Sequence, residues 1–235
     1  MELLVVTSYS KILVVQTGFL GDLVLSTPVL SVLSKQFPDS SIDVLCTKQS
    51  SSLLSEHPLV STVLIYDKRG SDSGFRGLLK KAKEIRRHGY DAVFSLHKSY
   101  RTSLLLYLSG IPHRFGFKEA SLPFLYTKTS PRKDLNHEVM RNIAILRACG
   151  VSPEETAVPM SLGLTDDLHE YARKACAGIP SPYVTIAPGS VWKTKRWTKE
   201  GFASLSLELI KRGKGIVLIG GPDDVESGDY IEAHL

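Results

Sequence analysis

From Lys11 onward the chain repeats one unit: a short apolar run, a polar or glycine-bearing loop, then a segment with helical spacing. That alternation restricts it to few folds. Ile12 to Val15 is apolar at every position, the pattern of a strand covered on both faces. Further strands are expected at Ile42 to Cys46, Val63 to Tyr66 and Ala92 to Leu96. Between them a helix is expected from Val24 to Lys35, with Pro28 tolerable only if the helix starts late or bends. Another should follow the Gly/Ser-rich loop Gly70 to Gly77, with Leu78, Leu79, Ala82 and Ile85 on its apolar face and Lys80, Lys81, Lys83, Arg86 and Arg87 largely opposite. Strands joined through helices make right-handed crossovers, which give an α/β fold with a mostly parallel, doubly wound sheet. Residues 1–150 read as one such domain. An amphipathic helix after His137 closes it at Gly150, and 151–164 reads as a linker with weak periodicity. A second α/β unit over 165–235 offers strands at Tyr183 to Ala187 and Ile216 to Ile219, a helix carrying Phe202, Leu205 and Leu209, and a last helix barely begun.

With 235 residues, 43% hydrophobic and 23% charged, the chain can build such cores, which excludes disordered, collagenous and disulfide-stapled classes. The 29 Lys and Arg against 24 Asp and Glu leave a net charge of +5, which points to an acidic partner without naming it. A nucleic-acid partner is not expected, because the stacking pattern of RNA-binding modules and a DNA-reading helix are both missing. Cys46, Cys149 and Cys176 lack the spacing of a zinc or redox motif, and a reducing, cytoplasmic compartment is expected. Neither a basic leader at Met1 to Lys11 nor an apolar run of roughly 18 residues is seen, so no membrane span is expected.

Ligands of open α/β sheets bind beyond the carboxyl ends of strands, and three loops there could carry chemistry. In Gly18-Phe19-Leu20-Gly21-Asp22 the glycines permit close backbone approach, and Asp22 reads either as a helix cap or as an ionised carboxylate facing a ligand. The loop is neither a dinucleotide fingerprint nor a P-loop. Pro188 to Trp197 places Gly189, Ser190, Thr194, Lys195 and Arg196 before a helix, which reads as a diphosphate cradle or as a solvated basic loop over two Trp. His97, Lys98 and Arg101, with His113 and Arg114 close behind, form either a cationic patch for an anionic acceptor or an ordinary polar strand end. Asp223 and Asp224 after Gly220-Gly221 read as helix caps before a metal site, and His137 as a cap or interdomain contact.

The segments KILVVQTGFLGDLVLSTPVLSVL, HKSYRTSLLLYLSGIPHRFGF, NHEVMRNIAIL, IAPGSVWKTKRWTKEGFASL and VLIGGPDD, in that order, resemble the family 9 glycosyltransferases, the ADP-heptose:lipopolysaccharide heptosyltransferases. The likeness is closest to the heptosyltransferase II branch. It implies a GT-B fold of two Rossmann-like domains and inverting transfer of heptose from ADP-heptose to the lipopolysaccharide inner core. It implies no metal and no cofactor, and peripheral placement at the inner face of the cytoplasmic membrane. By the same resemblance Asp22 is the general base and Gly18, Gly21, His97, Lys98, Arg101 and Arg114 lie on the acceptor side. Gly189, Ser190, Thr194, Lys195, Arg196, Gly220 and Gly221 lie on the donor side. Family members continue past the point that Leu235 matches. An incomplete donor domain and little or no transferase activity of residues 1–235 alone are therefore expected. The competing expectation is a non-catalytic remnant or binding module that holds lipopolysaccharide core or a partner protein.

Overall fold

The structure, a computed structural model, describes residues 8–132, 137–151 and 158–235. They divide into two compact units between Thr165 and Asp166. The first holds six parallel strands in the order β3-β2-β1-β4-β5-β6: β1 Lys11–Gln16, β2 Ser41–Cys46, β3 Thr62–Ile65, β4 Ala92–Ser95, β5 His113–Phe117 and β6 Lys128–Ser130. Strand order reverses between β1 and β4, and the crevice at that switch point is where a doubly wound sheet receives a ligand.

The apolar run of β1 splits by the two-residue period of a strand. Ile12 and Val14 enter one core with Ile42, Val44, Phe94 and Phe115, while Leu13 and Val15 enter the opposite core with Leu45, Leu64 and Val93. Leu30 and Leu33 of α2 (Thr27–Gln36) and Ile143 of α5 (Glu138–Ile143) cover the first face. Leu78, Ala82 and Ile85 of α3 (Gly74–Arg87) and Leu105 and Leu106 of α4 (Tyr100–Ser109) cover the second.

Several details differ from the expectations. The helix foreseen over Val24 to Lys35 is two, α1 (Leu20–Val24) and α2, broken at Leu25 and Ser26. Pro28 sits in the first turn of α2, where its missing N–H breaks no helical bond. Side chains close the gap: Ser26 Oγ donates to Leu23 O at 2.6 Å, Thr27 Oγ1 to Val24 O at 2.8 Å, and Asn142 Nδ2 to Leu25 O at 3.1 Å. On α3, Leu79 is exposed and Lys81 is buried, because Asp72 at 3.7 Å and Glu84 at 2.9 Å hold the ammonium. His113 and Arg114, read as part of a cationic patch or a polar strand end, open β5. His137 is a cap, its Nδ1 accepting from the amide of Val139.

Met1 to Thr7 and residues 152–157 of the expected linker lie outside the described residues. The rest of that stretch is bonded to the first unit. The amide of Ser161 donates to Thr27 Oγ1 at 3.1 Å, Ser161 Oγ pairs with His57 Nε2 at 2.8 Å, and the amide of Gly163 donates to Leu53 O at 3.1 Å.

The second unit pairs β7 (Tyr183–Ile186) in parallel with β8 (Gly215–Leu218) and adds α6 (Asp166–Ala175), α7 (Lys199–Lys211) and α8 (Val225–Glu232). Among the described residues no helix is long and apolar enough to cross a membrane.

Candidate active site

At the carboxyl edge of the first sheet lies a cleft of about 500 Å³, lined by the residues that follow four adjacent strands. Thr17, Gly18 and Phe19 follow β1, and Thr47, Lys48 and Gln49 follow β2. Tyr66, Asp67, Lys68 and Arg69 follow β3, and His97 follows β4. Asp22 stands beside it. The aspartate is the third residue of α1, and its Oδ2 accepts the amide of Phe19 at 3.0 Å, so it reaches back over the loop instead of occupying the N-cap position itself. Gly18 is what makes room: a Cβ there would lie 2.6 Å from Asp22 Oδ2 and 3.1 Å from Gln16 Oε1. Gly21 has open space around its missing Cβ, so nothing within the first unit demands glycine there.

Lys68 is half-buried. Its Nζ donates to Thr17 O at 3.0 Å and lies over the ring of Tyr66, tying the loop after β3 to the loop that leads into Asp22. Burial, helped by the nearby charge of Arg101, lowers its ammonium to about 8. His97 is likewise pushed down, to about 4, by burial first and then by the charge of Lys68. It is therefore an uncharged imidazole at neutral pH and adds no charge to the cationic patch that was one reading of this loop.

The other residues expected on the acceptor side fare unevenly. Lys98 is exposed near the cleft, its carbonyl accepting from the amide and hydroxyl of Ser121. Arg101 is committed to the protein itself, Nε to Tyr66 OH at 2.9 Å and Nη2 to the carbonyls of Asp72 and Gly74. It shapes the wall that carries Lys68 and offers little to a ligand. Arg114 is not brought to the site. It pairs in register with Val93 near the amino end of β4, and its guanidinium donates to Leu125 O, Ile111 O and Pro112 O.

In the second unit the donor-side residues gather at the ends of β7 and β8. Lys193–Lys195 form a 3-10 turn, with Thr194, Lys195 and Arg196 exposed and Ser190 half-buried. Arg196 Nε donates to Ser190 O. Against Gly189, Gly220 and Gly221, expected on the donor side, stands the carboxylate of Asp224, which caps the turn Pro222–Asp224 as its place after the two glycines suggested. Oδ2 accepts the amide of Gly221 at 2.9 Å, and a Cβ on Gly189 would collide with Oδ1 at 1.8 Å.

Residues 78–235 match the family model described as glycosyltransferase family 9 (heptosyltransferase). The chain belongs to glycosyltransferase family 9. It is 28% identical over 222 residues to lipopolysaccharide heptosyltransferase 3 of Escherichia coli K12, covering 90% of this chain and 64% of that relative. Lipopolysaccharide heptosyltransferase 2 of the same strain is 26% identical over 237 residues, covering 96% and 67%. The chain thus spans about two thirds of the length of these relatives. A crystal structure of a family 9 glycosyltransferase from Veillonella parvula superposes with a TM-score of 0.85 at 27% identity, over 98% of this chain and 67% of that one. The structure of E. coli ADP-heptose lipopolysaccharide heptosyltransferase II gives 0.76 at 25%, over 96% and 69%. The α/β architecture with its parallel sheet is therefore the one found in this family. The family model begins at Leu78, so the Asp22 loop enters through the longer pairwise matches.

Within this family 9 chain, sequence reasoning missed Lys48, Lys68 and Arg69, all three lining the cleft. A signal was present: Lys48 and Lys68-Arg69 each fall just past an expected strand end, where the carboxyl-edge rule applies.

Proposed function

We propose that this chain acts in inverting transfer of heptose from ADP-heptose to the lipopolysaccharide inner core, with the first unit as the acceptor side. The observation that carries the reading is the position of Asp22, a half-buried carboxylate fixed by the Phe19 amide at the mouth of a cleft lined by Lys48, Lys68 and Arg69, in a family 9 chain. In such a transfer Asp22 takes the proton of an acceptor hydroxyl, the resulting oxygen attacks the anomeric carbon, and the bond to the diphosphate breaks with ADP carrying away the electron pair. The cations of the cleft suit an acceptor bearing carboxylates or phosphates. Lys195, Ser190 and Thr194 are the groups of the second unit that would meet the departing diphosphate, and amides and cations there stabilise charge as it develops. An acceptor anchored in a membrane would place the protein at the inner face of the cytoplasmic membrane.

Transfer is tested with ADP-heptose and a heptose-deficient inner-core acceptor, following product by mass spectrometry. Asp22→Asn keeps an acceptor for the Phe19 amide but cannot take the proton, and the rate should fall by at least about 10²-fold. An undiminished rate would remove Asp22 from this role.

One observation favours a second reading, a module that holds the acceptor without turnover: on the donor side the Asp224 carboxylate lies against Gly189 and accepts the amide of Gly221, setting a negative charge among the groups expected to meet a diphosphate. Titration with ADP-heptose separates the two. Saturable binding weakened by Lys195→Ala supports transfer, and acceptor binding alone supports the module.

A further inference from the structure

His97 is held through both its ring and its carbonyl. Its Nδ1 pairs with Thr102 Oγ1 at 3.0 Å, and that buried hydroxyl also meets Ser99 Oγ at 3.0 Å and Thr17 Oγ1 at 3.5 Å. The carbonyl of His97 accepts from Ser95 Oγ at 3.1 Å, Ser95 Oγ accepts from Tyr126 OH at 3.0 Å, and Tyr126 OH pairs with Ser103 Oγ at 3.0 Å. Gly116 of β5 makes this possible, because a Cβ there would meet the Tyr126 ring at 2.7 Å. The ring is thus fixed on one edge while the residue lines the cleft, and Nε2 has no partner among the described residues.

We propose that His97 is an acceptor-positioning residue: with Nδ1 committed to Thr102, its Nε2 gives one hydrogen bond to a hydroxyl of the sugar acceptor beside Asp22. The inference rests on reading the cleft as the acceptor site. Nε2 offers one hydrogen-bonding position in either neutral tautomer, and a hydroxyl can answer as donor or acceptor. The groups bearing on the ring are Lys68 and Lys98, which oppose its protonation, and Asp22, which favours it; burial outweighs Asp22 and keeps the ring neutral. Labour is divided accordingly, with Lys48, Lys68 and Arg69 meeting anionic groups and the imidazole meeting a neutral one.

The test uses the two amides that each imitate one ring nitrogen. Asn places its amide where Nδ1 lies and keeps the bond to Thr102, whereas Gln reaches the place of Nε2. The probe is deacylated, heptose-deficient lipopolysaccharide inner-core oligosaccharide, titrated by calorimetry into the whole chain, with melting curves confirming that each variant is folded. His97→Asn should weaken binding about 3- to 10-fold, the worth of one neutral hydrogen bond, and His97→Gln should stay within about 2-fold of the parent. If Asn binds as well as the parent, or Gln fares no better than Asn, the residue is structural and the proposal fails. Lys68→Ala separates that failure from failure of the cleft reading: oligosaccharide binding that it leaves unchanged places the acceptor elsewhere and overturns both. So does an absence of binding by the folded parent. In the unaltered chain, ¹⁵N-labelled histidine should show the Nε2 resonance of His97 shifting on titration while Nδ1 moves less, and an unmoved Nε2 overturns the proposal.

Discussion

Gly18→Ala isolates the geometry of Asp22 from its chemistry. Gly18 does not sit at positive φ, so alanine is free to adopt its backbone conformation and the whole effect is steric. The new Cβ would stand 2.6 Å from Asp22 Oδ2, against 3.4 Å where ordinary contact begins, so the carboxylate must retreat by about 0.8 Å. A retreat of that size away from the Phe19 amide, now 3.0 Å from Oδ2, would carry the oxygen to about 3.8 Å and break the hydrogen bond. The atom displaced is the end of a flexible side chain at a partly open site, so the stability cost should stay near 1 kcal/mol. For a unit of this size that is a melting shift of about 2–4 °C. Catalysis should suffer more. A misplacement approaching 1 Å in a reacting group costs up to about 10²-fold, so kcat should drop about 10- to 100-fold, or about 1.4–2.7 kcal/mol of barrier. The KM for the acceptor should change little, because the cations of the cleft are untouched. Steady-state kinetics against Asp22→Asn, with melting curves alongside, measure both quantities. An unchanged kcat in Gly18→Ala, where Asp22→Asn is inactive, would refute the argument that this glycine exists to place the carboxylate.

Four further outcomes follow from contacts of three residues. Lys68 loses its charge as pH rises through about 8, so affinity for an anionic acceptor should fall across that value, and Lys68→Arg should remove the fall; a pH series of calorimetric titrations with no step would contradict it. The same depressed value lies below the unfolded one of about 10.4, so protonating Lys68 opposes folding and the penalty fades between pH 8 and 10, a rise in stability that Lys68→Met should flatten in urea titrations. Gly77→Ala would set a Cβ 2.4 Å from the backbone carbon of Asp72, which cannot step aside as a side chain can, and should cost about 1–3 kcal/mol by denaturant melting; a change below about 0.5 kcal/mol would show that the loop gives way. Tyr90→Phe removes the 2.7 Å bond to the buried carboxylate of Asp43, whose other oxygen has no hydrogen-bond partner among the described residues, and should cost about 1.5–3 kcal/mol in the same assay.

Where one residue carries one physical demand, the sequence was legible. The apolar run at β1 reads as a strand buried on both faces, β2 and β4 read as further strands, and Asp22 could be placed at the carboxyl edge from the strand before it. Pro28 signalled a late helix start or a bend but not where, because the break depends on Asn142 reaching Leu25 from far along the chain. Strand β5 was hidden for a related reason. His113 and Arg114 read as part of a cationic patch or a polar strand end until Leu125 and Ile111 supply the carbonyls that bind the guanidinium.

Cationic side chains show most clearly what a sequence leaves open. Lys98, Arg101 and Arg114 looked equivalent, three positive charges near one strand end. What separates them is whether their donors are already used. Arg101 and Arg114 carry fork-shaped guanidiniums that suit several backbone carbonyls at once, and both are turned inward on such groups. Lys68, just past the end of β3, makes one hydrogen bond among the described residues, to Thr17 O, and an ammonium has three protons to give. An anionic acceptor can therefore add contacts to Lys68 without breaking the loop it holds, whereas drawing Arg101 into the cleft would release Tyr66, Asp72 and Gly74 together. Electrostatic recognition at this site should accordingly track the lysines: Lys68→Ala should weaken binding of the inner-core oligosaccharide without the fall in melting temperature expected of Arg101→Ala, which should lower both. The two variants, compared by calorimetry and melting in parallel, would contradict this account if Arg101→Ala weakened binding in a unit that melts like the parent.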